Sequence, residues 1–359
     1  MMTSLTRISG MVDPHVHLRD LEWSHKATFA SETAAAVAGG YWAVLDMPNT
    51  PPPTIDGAAL RLKRERMTEA ARCDWGVYFG ASQADNQAEY AAAAPLCCGL
   101  KIYNNATTGT LLIEDQAARE RHFAAWPAHK PIAVHAEGDT VGDILALVRR
   151  YRKPVHFCHI SLAQEIHDLR AAKAEGLPVT VGVTPHHLFL TEASLGMLGS
   201  FGLMKPELKQ QADQDALWEA VRDGVVDVIE SDHAPHTLAE KQSAKPPYGV
   251  PGLETTLSLL GLAAKEGRAS LEHLLPMVST NPQRIFGLRP PAETYTLVDF
   301  ADTYTVTRAG LHSACGWSPF EGWTVRGRVR EVWIRGVKVF DGERILAAPG
   351  FGMPVVQSL

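Results

Sequence analysis

No stretch of the 359 residues approaches the roughly 18 uninterrupted apolar positions that a membrane-spanning helix needs, so no membrane segment is expected. Cysteine is scarce. Cys73, Cys97, Cys98, Cys158 and Cys315 are odd in number, two are adjacent, and no C-x-x-C spacing occurs. This is neither a disulfide framework nor a structural zinc cluster, and it suits a reducing compartment. Charge of one sign is also lacking. Thirty-four Lys and Arg face 40 Asp and Glu, a net charge of −6, and no basic run is long enough to track phosphates. A nucleic acid partner is therefore not expected. The opening MMTSLTRISGMVDPHVHLRD has no apolar h-region and no small-residue cleavage site, so a cytoplasmic location is expected. With 45% hydrophobic and 21% charged residues, disorder and collagen-like structure are excluded.

What the chain does have is an alternation. Short apolar runs at 11–17, 41–46, 74–80, 97–103, 131–135, 154–159, 177–183 and 225–231 are mostly rich in Val, Ile or Leu, as strands buried on both faces are. Between them lie Ala-, Glu-, Arg- and Leu-rich segments with helical character, among them 26–38, 57–71, 139–150, 161–174 and 213–223. Ser161, with Gln164 three residues on, reads as a helix N-cap, and Gly176 as that helix's stop. Eight strands alternating with helices match a (β/α)8 barrel, although a doubly wound open sheet also alternates. A Pro/Gly-rich loop at 245–252 follows the eighth run. From Thr294 the period changes to two, at 296–300 and again at 326–340. The expected organisation is an α/β (β/α)8 barrel over 11–288, with residues 1–10 and 289–359 forming a small β-rich unit.

The chemistry gathers at strand ends. The first run ends in His15-Val-His17, the fourth carries Lys101, the fifth and sixth end at His135 and His159, and Asp232 follows the eighth. In a barrel these C-terminal ends converge on one face, where such folds place their active sites. Residues two apart in a strand point the same way, so His15 and His17 can grip one ion. Four imidazoles and a carboxylate favour a borderline-soft divalent metal, zinc first. A lone histidine at a strand end is more often structural, and His122, His129 and His156 are read that way. Lys101 is the odd member, because an ammonium repels a dication. As a barrel-interior lysine it could pair with a carboxylate. As a carbamate formed with carbon dioxide it could bridge two metals.

The motifs His15-Val-His17-Leu-Arg19, Met47-Pro-Asn49-Thr, Gly99-Leu-Lys101-Ile-Tyr, Val134-His135-Ala-Glu, Cys158-His159, Pro185-His-His-Leu-Phe, Ser231-Asp232-His-Ala-Pro-His236-Thr, Pro251-Gly-Leu-Glu-Thr and Trp317-Ser-Pro-Phe-Glu-Gly resemble the dihydroorotases of the amidohydrolase superfamily. They look closest to the dihydroorotase domain of the multifunctional animal pyrimidine-biosynthesis protein. The resemblance implies two zinc ions. His15, His17, Lys101 and Asp232 would hold one, and Lys101, His135 and His159 the other, with Lys101 as a bridging N6-carboxylysine. It implies reversible cyclisation of N-carbamoyl-L-aspartate to dihydroorotate in pyrimidine synthesis, with a metal-bridging hydroxide attacking in the hydrolytic direction and Asp232 as general acid/base. Arg19, Asn49 and His236 would bind substrate, the backbone at Gly249 would line the pocket, and Thr107 and Thr108 are candidate lid contacts. Arg19 suits the substrate carboxylate because a guanidinium offers two parallel donors. Two departures stand out. Lys205 occupies a position where the family often has arginine or asparagine. Gly182 stands where some animal members have a glutamate that, with a cysteine matching Cys158, binds an extra metal, so no third metal is expected. A homodimer and an association with aspartate transcarbamoylase are compatible with the resemblance. The competing readings are a hydantoinase or allantoinase, and a non-catalytic scaffold for aspartate transcarbamoylase.

Overall fold

The computed structural model describes residues 5–356; the outermost residues of the expected small β unit, 1–4 and 357–359, lie outside them. β1 is Thr6–Ser9, and eight parallel strands follow: β2 (Met11–Val16), β3 (Tyr41–Asp46), β4 (Asp74–Gly80), β5 (Gly99–Tyr103), β6 (Ile132–His135), β7 (Val155–Phe157), β8 (Val179–Val183) and β9 (Val228–Ile229). They pair in chain order, each with the next. The curl closes where Val16 bridges His233 in parallel and the His17 N–H donates to the His233 carbonyl at 2.7 Å. Asp13 completes the seam, its carboxylate accepting from the Ser231 N–H. The strands are buried on both faces by helices and by their own interior side chains, which is why they read as unbroken apolar runs.

Strand ends are shorter than the apolar runs suggest. Pro14 lacks an N–H and interrupts the β2 ladder between Asp13 and Val16. The β7 ladder stops at Phe157 because His159 turns to φ +39. The helix expected over 161–174 is Ala163–Ala174, and its cap differs from the expected one. Glu165, not Gln164, reaches back, accepting from the N–H groups of both Ser161 and Leu162 at 3.0 Å. Gly176 does end the helix, at φ +70.

β10 (Tyr295–Thr305), β11 (Thr324–Ile334) and β12 (Val337–Phe340) form an antiparallel sheet in the order β1-β10-β11-β12. Its inner face, with Val298, Phe300, Val325 and Val332, shares one apolar core with the barrel. The approach is close. A Cβ on Gly261, in the helix Thr256–Lys265, would lie 2.0 Å from the Arg326 carbonyl oxygen.

Candidate metal centre and substrate pocket

The ends of β2, β5, β6, β7 and β9 deliver the polar cluster. His15 and His17 leave β2 two residues apart, with ring centroids 5.4 Å from one another. His15 lies 5.0 Å from the His159 ring, and His159 lies 4.5 Å from His135. Asp232 closes the group: its Oδ1 is 3.4 Å from His15 Nε2 and 3.2 Å from His17 Nε2. Nitrogen atoms of His15 and His159 and a carboxylate oxygen of Asp232 all fall within 4.8 Å of one another, close enough to share one ion. Lys101 is fully buried, and its charge lowers the proton affinity of His15, His135 and His159. Among the described residues it has no carboxylate partner; its Nζ is 3.3 Å from Cys158 Sγ.

Burial, reinforced by Lys101 and the neighbouring rings, holds His15 and His159 well below the ordinary imidazole range. Neutral imidazole is the form that ligates metal. Two rings are held at the far nitrogen, as ligand histidines are. His17 Nδ1 is 2.7 Å from Asn49 Oδ1, leaving Nε2 toward Asp232. His135 Nε2 is 2.8 Å from Glu137 Oε1, leaving Nδ1 free. Buried nitrogens without a hydrogen-bond partner remain at His15 Nδ1 and His159 Nδ1. A buried lysine with no carboxylate partner among the described residues, beside imidazole and carboxylate atoms close enough to share one ion, fits a cation held by carbamate, carboxylate and imidazole. Of the eight non-glycine residues at positive φ among the described residues, three are Arg19 (+65), His159 (+39) and Asp232 (+45), so backbone strain falls on the cluster itself.

Beside the cluster runs a narrow cleft lined by His17, Arg19, Asn49, Thr107, Thr108, Lys205, Asp232, Tyr248 and Gly249. Arg19 is 1% exposed. Its Nε donates to the Pro235 carbonyl at 3.0 Å, but Nη1 has no partner and no carboxylate pairs with the guanidinium. Burial pulls its pKa down to about 10. His236 sits behind it, Nε2 3.2 Å from Arg19 Nη2 and 3.0 Å from the Tyr248 carbonyl, while Lys26 donates to Nδ1 at 3.1 Å. Burial, with Arg19, Lys26 and Lys241 nearby, keeps His236 neutral. Asn49 does not present a free amide, since its Nδ2 donates to the Thr108 carbonyl at 2.8 Å. Thr108 Oγ1 donates to the Tyr248 carbonyl at 3.3 Å, so the 104–110 loop lies across the cleft. The Lys205 ammonium lies 2.8 Å from Glu207 Oε1.

Several contributors were not singled out in the sequence. Glu137 and Glu230 could have been found by the same two-residue spacing that marks His15 and His17. Lys241, whose Nζ donates to the carbonyls of Leu203, Pro247 and Gly249, left no local signal.

An eight-stranded parallel barrel whose mouth gathers neutral imidazoles, a buried lysine and a carboxylate defines a metal-ligating hydrolase barrel. The chain belongs to the Amidohydrolase family, which it matches over residues 8–339, and within it to the dihydroorotases. It is 42% identical over 352 residues to the multifunctional protein CAD of Squalus acanthias, covering 98% of this chain but only 16% of that protein's length. It is 33% identical to the dihydroorotase of Pyrococcus furiosus over 95% of this chain and 83% of the relative. The fold is similar to that of the L-hydantoinase (dihydropyrimidinase) of Arthrobacter aurescens, with TM-score 0.92, 23% identity, and coverage of 98% of this chain and 89% of that one.

Proposed function

We propose that this chain is a dihydroorotase that interconverts N-carbamoyl-L-aspartate and dihydroorotate in pyrimidine biosynthesis as a zinc-dependent cyclic amide hydrolase. The observation that carries the substrate assignment is the buried Arg19 guanidinium, unpaired on the wall of a cleft that also holds His17 and Asp232. A ring carboxylate supplies the missing partner. Hydantoin-type rings have none, and they would leave the buried Arg19 Nη1 without a partner.

In this reading His15, His17, Lys101 and Asp232 would hold one zinc, and Lys101, His135 and His159 the other, Lys101 serving both as a carbamate. When bound, the metal pair supplies a nucleophile at neutral pH and Lewis acidity toward the amide. The protein supplies the rest. Arg19 anchors the carboxylate. Asp232, within reach of both His15 and His17, carries the proton that the leaving nitrogen needs. His236 stays neutral, accepts from Lys26 at Nδ1 and donates from Nε2 to the Tyr248 carbonyl behind Arg19, while Asn49 couples His17 to the Thr107–Thr108 loop. Gly249 has φ +135, and a Cβ there would lie 2.7 Å from the Ala234 carbonyl, so only glycine brings this backbone so near the cleft. The open space in the cleft is about 20 Å³, room for about one water, so the loop moves aside to admit substrate.

The division into a barrel (11–288) and a β unit (1–10 plus 289–359), a cytoplasmic location, a homodimer and an association with aspartate transcarbamoylase belong to the same proposal. Support for a neighbouring pathway activity comes from the CAD relative, which is multifunctional.

The test is turnover of dihydroorotate against hydantoin by zinc-supplied protein. Strong preference for dihydroorotate, lost in Arg19→Ala, is expected. Equal turnover of both rings by the wild type overturns the assignment.

A further inference from the structure

Glu230 follows β9 directly and is fully buried, two residues before Asp232. It does not line the substrate cleft. Its carboxylate instead touches the metal cluster from behind. Oε1 accepts from the backbone N–H of His159 at 2.7 Å and lies 3.5 Å from His15 Nδ1. Oε2 is 3.0 Å from His156 Nε2, and His156 Nδ1 is 2.9 Å from Thr180 Oγ1. One carboxylate thus meets the backbone of one histidine in the cluster and the ring of another, while His156 and Thr180 brace its other oxygen.

The space it occupies is left by Gly182. A Cβ on that residue would lie 2.6 Å from Glu230 Oε1 and 2.9 Å from His156 Nε2. Any side chain at 182 would drive the carboxylate off both histidines.

We propose, on the footing of the metal assignment above, that Glu230 is a positioning residue of the metal centre: it sets the His15 ring through Nδ1 and holds the left-handed backbone of His159 through its amide, in room that Gly182 provides. A carboxylate on the far nitrogen of a ligand histidine fixes the ring and its tautomer and raises its affinity for a cation. The carboxylate faces the bare His15 Nδ1 at 3.5 Å, longer than a normal hydrogen bond, and would hold the ring from that side with Nε2 turned to the cluster. The His159 amide is the one backbone donor to Oε1 among the described residues, and it lies at the residue whose φ of +39 points the ring into the cluster.

Wild type, E230Q and G182A are loaded with zinc and challenged with a chromophoric chelator, the visible absorption of each Co(II)-loaded protein is recorded, and each metal-free protein is melted. The expected result is a loss of metal affinity of roughly 10–100-fold in E230Q, with a shifted Co(II) spectrum and a metal-free melting temperature close to wild type. G182A, which displaces the carboxylate without removing it, moves both metal readouts in the same direction. Unchanged affinity and spectra in both variants overturn the inference while leaving the wild-type function standing. A third metal equivalent present in wild type and absent from E230Q also overturns it, by making Glu230 a ligand. Wild type that retains no zinc overturns this inference and the functional reading together.

Discussion

A guanidinium withdrawn from water with one amino group unpaired is costly unless a ligand completes it. Arg19 is such a group, and its cost is understandable only as part of a complex with an anion. Arg19→Ala is expected to weaken dihydroorotate binding by ~1.5–3 kcal/mol, roughly 10–100-fold in KM, with zinc content unchanged, as steady-state kinetics and metal analysis will show. Lys101 makes the complementary case. Lys101→Ala is expected to lose at least one zinc and nearly all turnover; full activity without added short carboxylic acids would contradict the bridging role. Lys101 was visible in the sequence as a charged residue inside an apolar run, and Arg19 through the resemblance that the motif His15-Val-His17-Leu-Arg19 carries. The work of Asn49 was not. Its amide serves His17 and the Thr108 carbonyl, and a bond to a loop backbone has no counterpart in residue spacing.

At the scale of elements, the strand ends were legible and the loops were not. Strands buried on both faces write themselves as apolar runs, so β3 and β4 appear with the limits the sequence suggests. Pro14 interrupts the β2 ladder and β7 stops before the left-handed His159, neither of which hydrophobicity reports. The loop 104–110 is tied to Asn49 and Tyr248, and its residues 106–109 also line a cavity of about 170 Å³. Thr108→Ala removes one neutral hydrogen bond of ~0.5–1.5 kcal/mol, so kcat/KM is expected to fall about 2–10-fold with zinc content and melting temperature unchanged. Gly261→Ala tests the other contact surface. Its methyl group has no room beside Arg326, and equilibrium unfolding is expected to show a loss of ~1–3 kcal/mol.

For the whole molecule, the barrel and the small sheet share one core and are also joined by polar links. Glu254, just before the helix Thr256–Lys265, accepts from the backbone of His312 and Ser313 and pairs with the His312 ring at 2.9 Å. The hydrogen bond to Glu254 raises the pKa of His312. A base whose folded pKa lies above its unfolded value stabilises fully below the unfolded value of ~6.5, and loses that contribution as pH rises through the folded one. The ring is partly exposed, so the effect is below ~1 kcal/mol. The stability difference between wild type and His312→Gln is expected to be larger at pH 5.5 than at pH 9. The C-terminal strands were legible as period-two patterning, but the Glu254 link was not, because it spans 58 residues of chain.

The most direct measurement is a titration of metal-stripped protein with zinc while dihydroorotate hydrolysis is followed by absorbance. The account predicts no turnover without metal, a rise that saturates at about two zinc per chain, and reversal by chelator. Sustained hydrolysis by protein shown to contain no metal, or zinc saturation with no hydrolysis at all, would contradict it.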